Sequence, residues 1–351
     1  MITTNFLVLL LGLVFLVKGS DYFVKAASTI AKKLGVSEFV IGLTLVAIGT
    51  SIPELASSIV ASIQQASGIV IGNVVGSNIV NIGLIVGIAA FLSPMKTEVE
   101  MLKRDGYIML FSAVLFFVFA LNGELSIIES GIFVLLYIAY VFFLFEEGEI
   151  YGGKPYFKEF LKYFVKFKYI NSAMQKINGT NHNKNSDSGN GNGNGNGNSR
   201  IEGGFGKDIF TLVLSCAAIV IGAKYFVEES IFFAELLGVP DTIIGTTLVA
   251  VGTSLPELVV TVSAARKGYG SIALGNIIGS NITNVFLILG LSGLLYPIAV
   301  AEISLFFTTP VMIVISLILL VFISTGWEIK RWEGAVMMAF YAAFLVVLFY
   351  I

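Results

Sequence analysis

The stretch GVSEFVIGLTLVAIGTSIPEL at residues 35–55 decides the fold of this chain, because it occurs a second time. It returns 203 residues later as GVPDTIIGTTLVAVGTSLPEL at residues 238–258. IGNVVGSNIVN from Ile71 and LGNIIGSNITN from Leu274 follow at the same offset, without a gap. Gly, Thr, Ser, Pro, Glu and Asn match in order, and not only the interchangeable Leu, Val and Ile. The similarity therefore indicates an internal duplication.

The composition around these repeats excludes a water-soluble globule. Hydrophobic residues make up 56% of the 351 residues and charged residues 13%, against roughly 25% charged in an ordinary soluble domain. A formal net charge of -2 lacks the basic excess that nucleic-acid binding needs. The only histidine, His182, lies in a polar stretch, which excludes a histidine-ligated metal centre or a histidine-based triad. Cys216 is interpreted as a small hydrophobe in an apolar run.

Ten apolar runs are long enough to cross a bilayer core, which takes about 20 residues per helix. They are residues 4–30, 37–63, 69–92, 104–121, 126–145, 207–236, 240–265, 271–296, 304–324 and 331–350. Each repeat holds five runs, an odd number, so the second repeat must enter the membrane from the opposite side. The sequence predicts an all-α polytopic membrane protein with ten transmembrane helices in two inverted-topology repeats of five.

The runs divide the chain into three parts. Residues 1–146 form the first five-helix repeat, residues 207–351 the second, and residues 147–206 a polar, partly disordered linker. The Asn/Gly tract at residues 189–198 has too little apolar surface to offset the entropy of ordering it. Residues 156–169, rich in Lys, Tyr and Phe, are expected to form a short amphipathic helix at the membrane surface.

Basic residues indicate the orientation, because Lys and Arg concentrate on the cytoplasmic side of a membrane protein. Equivalent loops of the two repeats exchange them: Gln64 becomes Lys267, whereas Lys32 becomes Glu235. The basic linker falls on the same side as Lys267. We therefore expect a multi-pass protein of the cell (plasma) membrane, with a cytoplasmic linker and both termini extracellular.

Two acidic residues lie in the middle of predicted spans. Glu54 and Glu257 follow the equivalent sequences GTSIP and GTSLP. An acid at the bilayer centre costs about 2.5 to 3.5 kcal/mol even on lenient insertion scales. Neither glutamate has a basic residue near it in sequence. A pair at equivalent positions therefore predicts a cationic ligand rather than two protonated structural side chains.

The residues around the glutamates offer further oxygen atoms. Pro53 and Pro256 remove a backbone donor, so they are expected to release the carbonyls of Gly49 and Gly252 from the helix. Carbonyl, hydroxyl and carboxylate oxygens together suit a hard cation such as Ca²⁺ and are poor ligands for zinc or copper. Ca²⁺ is favoured over Mg²⁺ because it accepts six to eight flexible oxygen contacts.

The third and eighth spans add a polar stripe. Asn73, Ser77 and Asn81 recur every four residues and so lie on one helix face, as do their equivalents in the second repeat. Gly72 and Gly76, also four apart, permit close helix approach. We expect the stripe to face the glutamates.

GTSxPE followed by GNxxGSNxxN, present twice and inverted, resembles the α-repeats of the calcium/cation antiporter superfamily. The likeness is strongest to the sodium/calcium exchangers of the prokaryotic, ten-helix type, and covers about residues 35–87 and 238–290. It implies an antiporter that works by alternating access, is not an enzyme and has no cofactor. Its partners would be Ca²⁺ and Na⁺ as substrates and the lipid bilayer, with no required protein partner.

The resemblance also implies which residues bind the ions. Glu54 and Glu257 would be shared by Ca²⁺ or Na⁺, with the carbonyls of Thr50 and Thr253 completing the calcium site. The flanking sodium sites would use two carbonyls, four hydroxyls and two amides, from Ala47, Ala250, Ser51, Ser77, Ser254, Ser280, Asn81 and Asn284.

Position 284 distinguishes subfamilies. Potassium-dependent exchangers and some prokaryotic relatives carry Asp there, whereas this chain has Asn at both equivalent positions, which favours K⁺-independent exchange. The usual stoichiometry of the family, about three Na⁺ per Ca²⁺, would move one net charge. Three alternatives stay open at this point: H⁺/Ca²⁺ exchange, K⁺-dependent Na⁺/Ca²⁺ exchange and a cation channel. An intramembrane enzyme would need an activated nucleophile, and no partner base is evident.

The first and sixth spans are long and poor in site residues. We expect them to be the moving elements, which slide past the repeat core to open one face at a time. Lys18 and Asp21, three apart on the first span, are expected to form a local or interfacial ion pair.

Overall fold

A computed structural model describes residues 2–34, 37–146, 156–169, 205–236 and 250–350. These residues form thirteen helices: α1 Ile2–Leu34, α2 Glu38–Thr50, α3 Ile52–Ile63, α4 Ser67–Leu92, α5 Met101–Asn122, α6 Ile127–Glu146, α7 Phe157–Val165, α8 Phe205–Leu236, α9 Ala250–Thr253, α10 Leu255–Arg266, α11 Gly270–Leu295, α12 Ser304–Ser324 and α13 Arg331–Tyr350. Four two-residue strands complete them: β1 Met95–Lys96, β2 Glu124–Leu125, β3 Ile298–Ala299 and β4 Glu328–Ile329.

The predicted helical membrane fold is confirmed. Within the described ranges, eight helices are long and apolar enough to cross a membrane, and α2 with α3 forms a ninth span bent by 48°. The span predicted at residues 240–265 begins outside the described residues, which contain only α9 and α10 of it. The described part of the chain therefore accounts for nine of the ten predicted spans.

Helix breaks place the predicted site. Ser51 (φ -84°, ψ 9°) and Ser254 (φ -89°, ψ 10°) leave α-helical geometry between α2 and α3 and between α9 and α10. Pro53 and Pro256 then stand in the first turn of the next helix, where a missing N–H leaves no hydrogen bond unmade. Each glutamate follows directly, at the start of a new helix in the middle of a span.

Short π-helical segments interrupt four of the long helices, and a further one lies within α2 at Gly42–Val46. The four occur at Asn81–Val86 in α4 and Thr283–Leu289 in α11, and again at Met101–Gly106 in α5 and Ser304–Thr308 in α12. Each pair occupies equivalent positions of the two repeats. A π turn re-aims the side chains near it and often marks a functional site. In α4 and α11 it lies at Asn81 and Asn284.

The strands join the two halves of the chain. β1 pairs antiparallel with β4, and β2 with β3. Residues of β1 and β3 are equivalent at an offset of 203, and those of β2 and β4 at 204. Each sheet therefore takes one strand from each half, in a reciprocal arrangement.

α4 and α11 are the most enclosed of the single long helices, whereas α1 and α8 are the least buried together with α13. α1 and α8 lie along each other, and glycines bring their backbones close. A Cβ added at Gly12 would lie 3.0 Å from the Gly222 carbonyl, and one at Gly222 would lie 2.9 Å from the Gly12 carbonyl. The pair expected to move is thus packed as one unit, with large apolar side chains such as Leu11 and Leu214 exposed.

The local or interfacial ion pair predicted between Lys18 and Asp21 does not form in the described part of the structure. Asp21 Oδ1 instead lies 2.7 Å from Nζ of Lys267 and accepts a hydrogen bond of 2.8 Å from Ser263 Oγ. The helical spacing of Lys18 and Asp21 suggested a local contact, but Ser263 on α10 and Lys267 directly after it both donate to the same carboxylate. Asp21 consequently ties α1 to α10 at one end of the bundle.

The helix predicted within residues 156–169 is present as α7, but its aromatic face does not lie free at the membrane surface. Phe160 and Tyr163 are buried against α6. The Phe160 ring packs on Tyr140 and Phe143, at centroid distances of 6.2 and 5.7 Å. The Asn/Gly tract falls outside the described residues.

Candidate functional site

The two mid-span glutamates are buried, each about 1% exposed. Their hydrogen bonds cross between the repeats. Ser254 Oγ donates to Glu54 Oε1 over 3.2 Å, and Ser51 Oγ donates to Glu257 Oε1 over 3.0 Å. The serine at each helix break thus holds the carboxylate of the opposite half. Among the described residues, no ion pair reaches either glutamate.

The polar stripe faces the glutamates, as expected. Asn73 Nδ2 donates to the backbone carbonyl of Glu54 over 3.0 Å and to Ser58 Oγ over 2.8 Å. Ser254 Oγ, which holds Glu54, also contacts Ser77 Oγ at 3.4 Å. The stripe of α4 therefore lies alongside the start of α3.

One helical turn beyond Ser77 lies a set of amides. Asn81 Nδ2 donates to Asn281 Oδ1 over 3.0 Å. Asn284 Nδ2 donates to Asn78 Oδ1 over 2.9 Å. These two bonds are equivalent under the duplication. They join α4 to α11 through four buried side chains.

Several buried oxygens in this region have no hydrogen-bond partner among the described residues. They are Glu54 Oε2, Glu257 Oε2, Asn81 Oδ1, Asn284 Oδ1 and Ser280 Oγ. A buried acceptor without a partner costs about 1 to 3 kcal/mol, and more if it is charged. All five belong to predicted ion ligands. A set of unpartnered oxygens with two carboxylates, and with no basic side chain in an ion pair with them, is the chemistry that binds a hard cation.

The structure places the remaining predicted ligands nearby, with differences between the two halves. Thr50 Oγ1 donates to Asn276 Oδ1 over 3.0 Å. The Ala47 carbonyl already accepts the Ser51 N–H at 3.0 Å and the Thr50 hydroxyl at 3.3 Å. Thr253 lines a cavity of about 440 Å³ together with Asn73 and Ser77. Ala250 begins α9, and its side chain is outside the described set.

The carbonyl that Pro53 was expected to release has another partner. Cys216 Sγ on α8 donates to the Gly49 carbonyl over 3.3 Å. Cys216 is therefore more than a small hydrophobe, because it satisfies a backbone acceptor at the helix break. No sequence pattern indicates this contact, which joins two helices that are distant in sequence.

Four asparagines were not predicted as ion ligands, although they belong to the repeated motif: Asn78, Asn281, Asn73 and Asn276, the last two as members of the polar stripe. Asn276 Nδ2 donates to Thr261 Oγ1 over 2.9 Å, which matches the bond from Asn73 to Ser58 in the first half. Duplication of the whole motif GNxxGSN was the available signal. It marked all four asparagines without showing which of them face the ion.

The comparisons with known proteins agree with this geometry. A family model described as sodium/calcium exchanger protein matches residues 4–146 and 207–350. The chain is 87% identical to the sodium/calcium exchanger MaX1 of Methanosarcina acetivorans over the full length of both chains. It is 33% identical to the uncharacterized membrane protein MJ0091 of Methanocaldococcus jannaschii, over 95% of this chain and 94% of the relative.

Solved structures show the same likeness. The sodium-calcium exchanger NCX_Mj, soaked with 10 mM Na⁺ and no Ca²⁺, matches with a TM-score of 0.75 and 31% identity, covering 99% of both chains. The resemblance inferred from the motifs GTSxPE and GNxxGSNxxN is confirmed, as is the transporter class expected from it. The chain therefore belongs to the sodium/calcium exchanger protein family, a family of membrane transporters and not of enzymes.

Proposed function

We propose that this protein exchanges Na⁺ for Ca²⁺ across the membrane, with both ions bound around Glu54 and Glu257. The observation that carries the proposal is the set of buried, unpartnered oxygens, which includes one oxygen of each carboxylate. Cations would satisfy them. Two carboxylates balance the charge of one Ca²⁺, and Na⁺ ions in the same pocket supply comparable charge. The two ion sets therefore compete, which is the requirement for exchange rather than co-transport.

The finer properties are part of the proposal. Exchange involves about three Na⁺ per Ca²⁺ and is therefore electrogenic. It does not need K⁺, because Asn rather than Asp occupies both position 81 and position 284. Residues 1–146 and 207–351 act as inverted repeats joined by a cytoplasmic linker. The protein lies in the plasma membrane, with both termini outside. α1 and α8 move together against the remaining helices, so that the site opens to one side at a time.

Radioactive Ca²⁺ uptake into proteoliposomes tests the function. Vesicles loaded with Na⁺ and diluted into Na⁺-free medium should accumulate Ca²⁺, whereas K⁺-loaded vesicles should not. Glu54→Gln and Glu257→Gln should each weaken apparent Ca²⁺ affinity about 100-fold or more. Each replaces an anionic ligand that contributes roughly 3 kcal/mol with a neutral one.

Glu124→Gln is the matched control, because Glu124 is an exposed acid well separated in sequence from every predicted ion ligand and should leave uptake unchanged. Uptake that is equal without internal Na⁺ would contradict the proposal. It would indicate a channel if the flux followed the Ca²⁺ gradient, or proton exchange if it followed a pH gradient.

A further inference from the structure

The amides of Asn81 and Asn284 present a problem of orientation. An asparagine side chain has an acceptor oxygen and a donor NH₂ group of nearly the same shape. Only Oδ1 can bind a cation, and a 180° flip about the last side-chain bond would turn the NH₂ group towards it. In this structure both Oδ1 atoms are the unpartnered ones, whereas both NH₂ groups have partners.

The partners of those NH₂ groups are Asn78 and Asn281, and each of them is held in one orientation. Asn78 Nδ2 donates to the backbone carbonyl of Asn281 over 3.3 Å and lies 3.5 Å from Met312 Sδ. A carbonyl oxygen and a thioether sulfur can only accept. They therefore fix the NH₂ end of Asn78 and leave its Oδ1 to accept from Asn284.

The second half repeats the methionine contact with the equivalent residues. Asn281 Nδ2 lies 3.7 Å from Met109 Sδ, again an acceptor only, and Asn281 Oδ1 accepts from Asn81. Met109 and Met312 are themselves 203 residues apart. In each half, therefore, a methionine sulfur orients one asparagine, and that asparagine in turn orients the amide of Asn284 or Asn81.

We propose that Asn78 and Asn281 are positioning residues that fix the amide orientation of Asn284 and Asn81, so that each presents Oδ1 to the transported ion. Neither touches the ion, because its own polar atoms are engaged with neighbouring side chains and backbone. The inference rests on the proposed function, since it takes Asn81 and Asn284 to be ion ligands.

A rescue experiment separates orientation from packing. Asn78→Leu keeps the approximate shape but removes the acceptor, so the Asn284 amide can flip. We expect the Na⁺ concentration for half-maximal exchange to rise about tenfold. Asn284→Asp carries two equivalent oxygens and has no donor end to misplace. In that background, Asn78→Leu should change the Na⁺ dependence less than about twofold.

The control combines Asn78→Leu with Asn81→Asp, the aspartate at the position that Asn78 does not contact through its Oδ1. Asn81→Asp does not replace the amide that Asn78 orients, so Asn78→Leu should still cause its tenfold loss in that background. The second half offers the cycle with the roles exchanged, with Asn281→Leu rescued by Asn81→Asp and not by Asn284→Asp. If Asn78→Leu does not fold, this second cycle decides. The rise in melting temperature with added Na⁺ gives a readout that does not require transport.

Rescue by the matched aspartate alone supports the positioning role. If the leucine variants lose affinity equally in both aspartate backgrounds, Asn78 and Asn281 serve packing and the inference is overturned. It is equally overturned if the leucine variants keep normal Na⁺ dependence. Failure of the proposed function is a different result, because the unmodified protein itself would then show no Na⁺-dependent Ca²⁺ uptake.

Discussion

Cys216 supplies a side-chain donor at the point where Pro53 interrupts the helix. Its thiol donates to the Gly49 carbonyl over 3.3 Å, and it is the only cysteine in the chain. Because α8 is part of the pair proposed to move, this contact lies between a moving helix and the site. A buried carbonyl that loses its donor is destabilised, so the residue type at position 216 affects the stability of this helix break.

Replacement of Cys216 by Val should therefore lower stability by about 1 kcal/mol, because Val matches the size of Cys but cannot donate. Cys216→Ser keeps a donor and should unfold at or above the temperature of the unmodified protein. Thermal unfolding of the purified protein in detergent measures the difference. Equal melting temperatures for the Val and Ser variants would show that the contact contributes nothing.

At the level of single residues, the sequence predicted the two buried glutamates but not the contacts that orient the side chains around them. Glu54 and Glu257 were evident because a buried acid in a membrane is costly and the pair is duplicated. The role of Asn78 could not be predicted, since its position on α4 does not reveal that its partners come from α11. The Gly49 carbonyl was expected to be free for the same reason, as its donor lies 167 residues away.

Among the helices, α2 packs closely on α11 at two glycines. A methyl group added at Gly279 would lie 2.5 Å from the Leu43 carbonyl oxygen and 2.8 Å from Ala47 Cβ. One added at Gly275 would lie 2.6 Å from the Phe39 carbonyl oxygen. Since α2 ends at the helix break, its distance from α11 sets the position of the first site residues.

Gly279→Ala should displace α2, lower stability by about 1 to 3 kcal/mol and reduce Ca²⁺ uptake more than tenfold. Gly68→Ala is the matched control, because a methyl group there meets no described atom within 4 Å and the equivalent position is Ser271. Melting temperature and Na⁺-driven uptake check both variants. Normal uptake by Gly279→Ala would show that α2 tolerates the displacement.

Hydropathy predicted the long helices well, because apolar length is what the bilayer selects. It could not predict the π turns or the four short strands, which depend on backbone hydrogen bonding rather than composition. The aromatic helix of the linker illustrates the same limit. Its amphipathic pattern was correct, but the pattern does not distinguish a lipid surface from the rings of Tyr140 and Phe143.

For the molecule as a whole, the proposed stoichiometry predicts sensitivity to voltage. Exchange of about three Na⁺ for one Ca²⁺ moves one positive charge with the Na⁺, worth about 2.3 kcal/mol per 100 mV. An inside-positive potential of 100 mV should therefore raise the final Ca²⁺ accumulation of Na⁺-loaded vesicles about 50-fold. External K⁺ with valinomycin imposes this potential.

The same K⁺ gradient without valinomycin is the control and should have no effect, since K⁺ itself is not transported. Stimulation by K⁺ alone would contradict K⁺ independence. Accumulation that ignores the potential would contradict the three-to-one stoichiometry and indicate that two Na⁺ exchange for each Ca²⁺.

The reciprocal strand pairs have a consequence for the ancestry of the chain. Contacts that occur twice with roles exchanged are those of an isologous dimer, so a five-helix ancestor inserted in both directions would have built this interface with its own copy. Any substitution in such an ancestor would change both membrane faces at once, and fusion of the two copies would remove this constraint. The present halves do differ here, because the equivalents of Asp21 and Lys267 are Lys224 and Gln64. The bridge between α1 and α10 could thus evolve on one face alone, and the two faces became free to specialise.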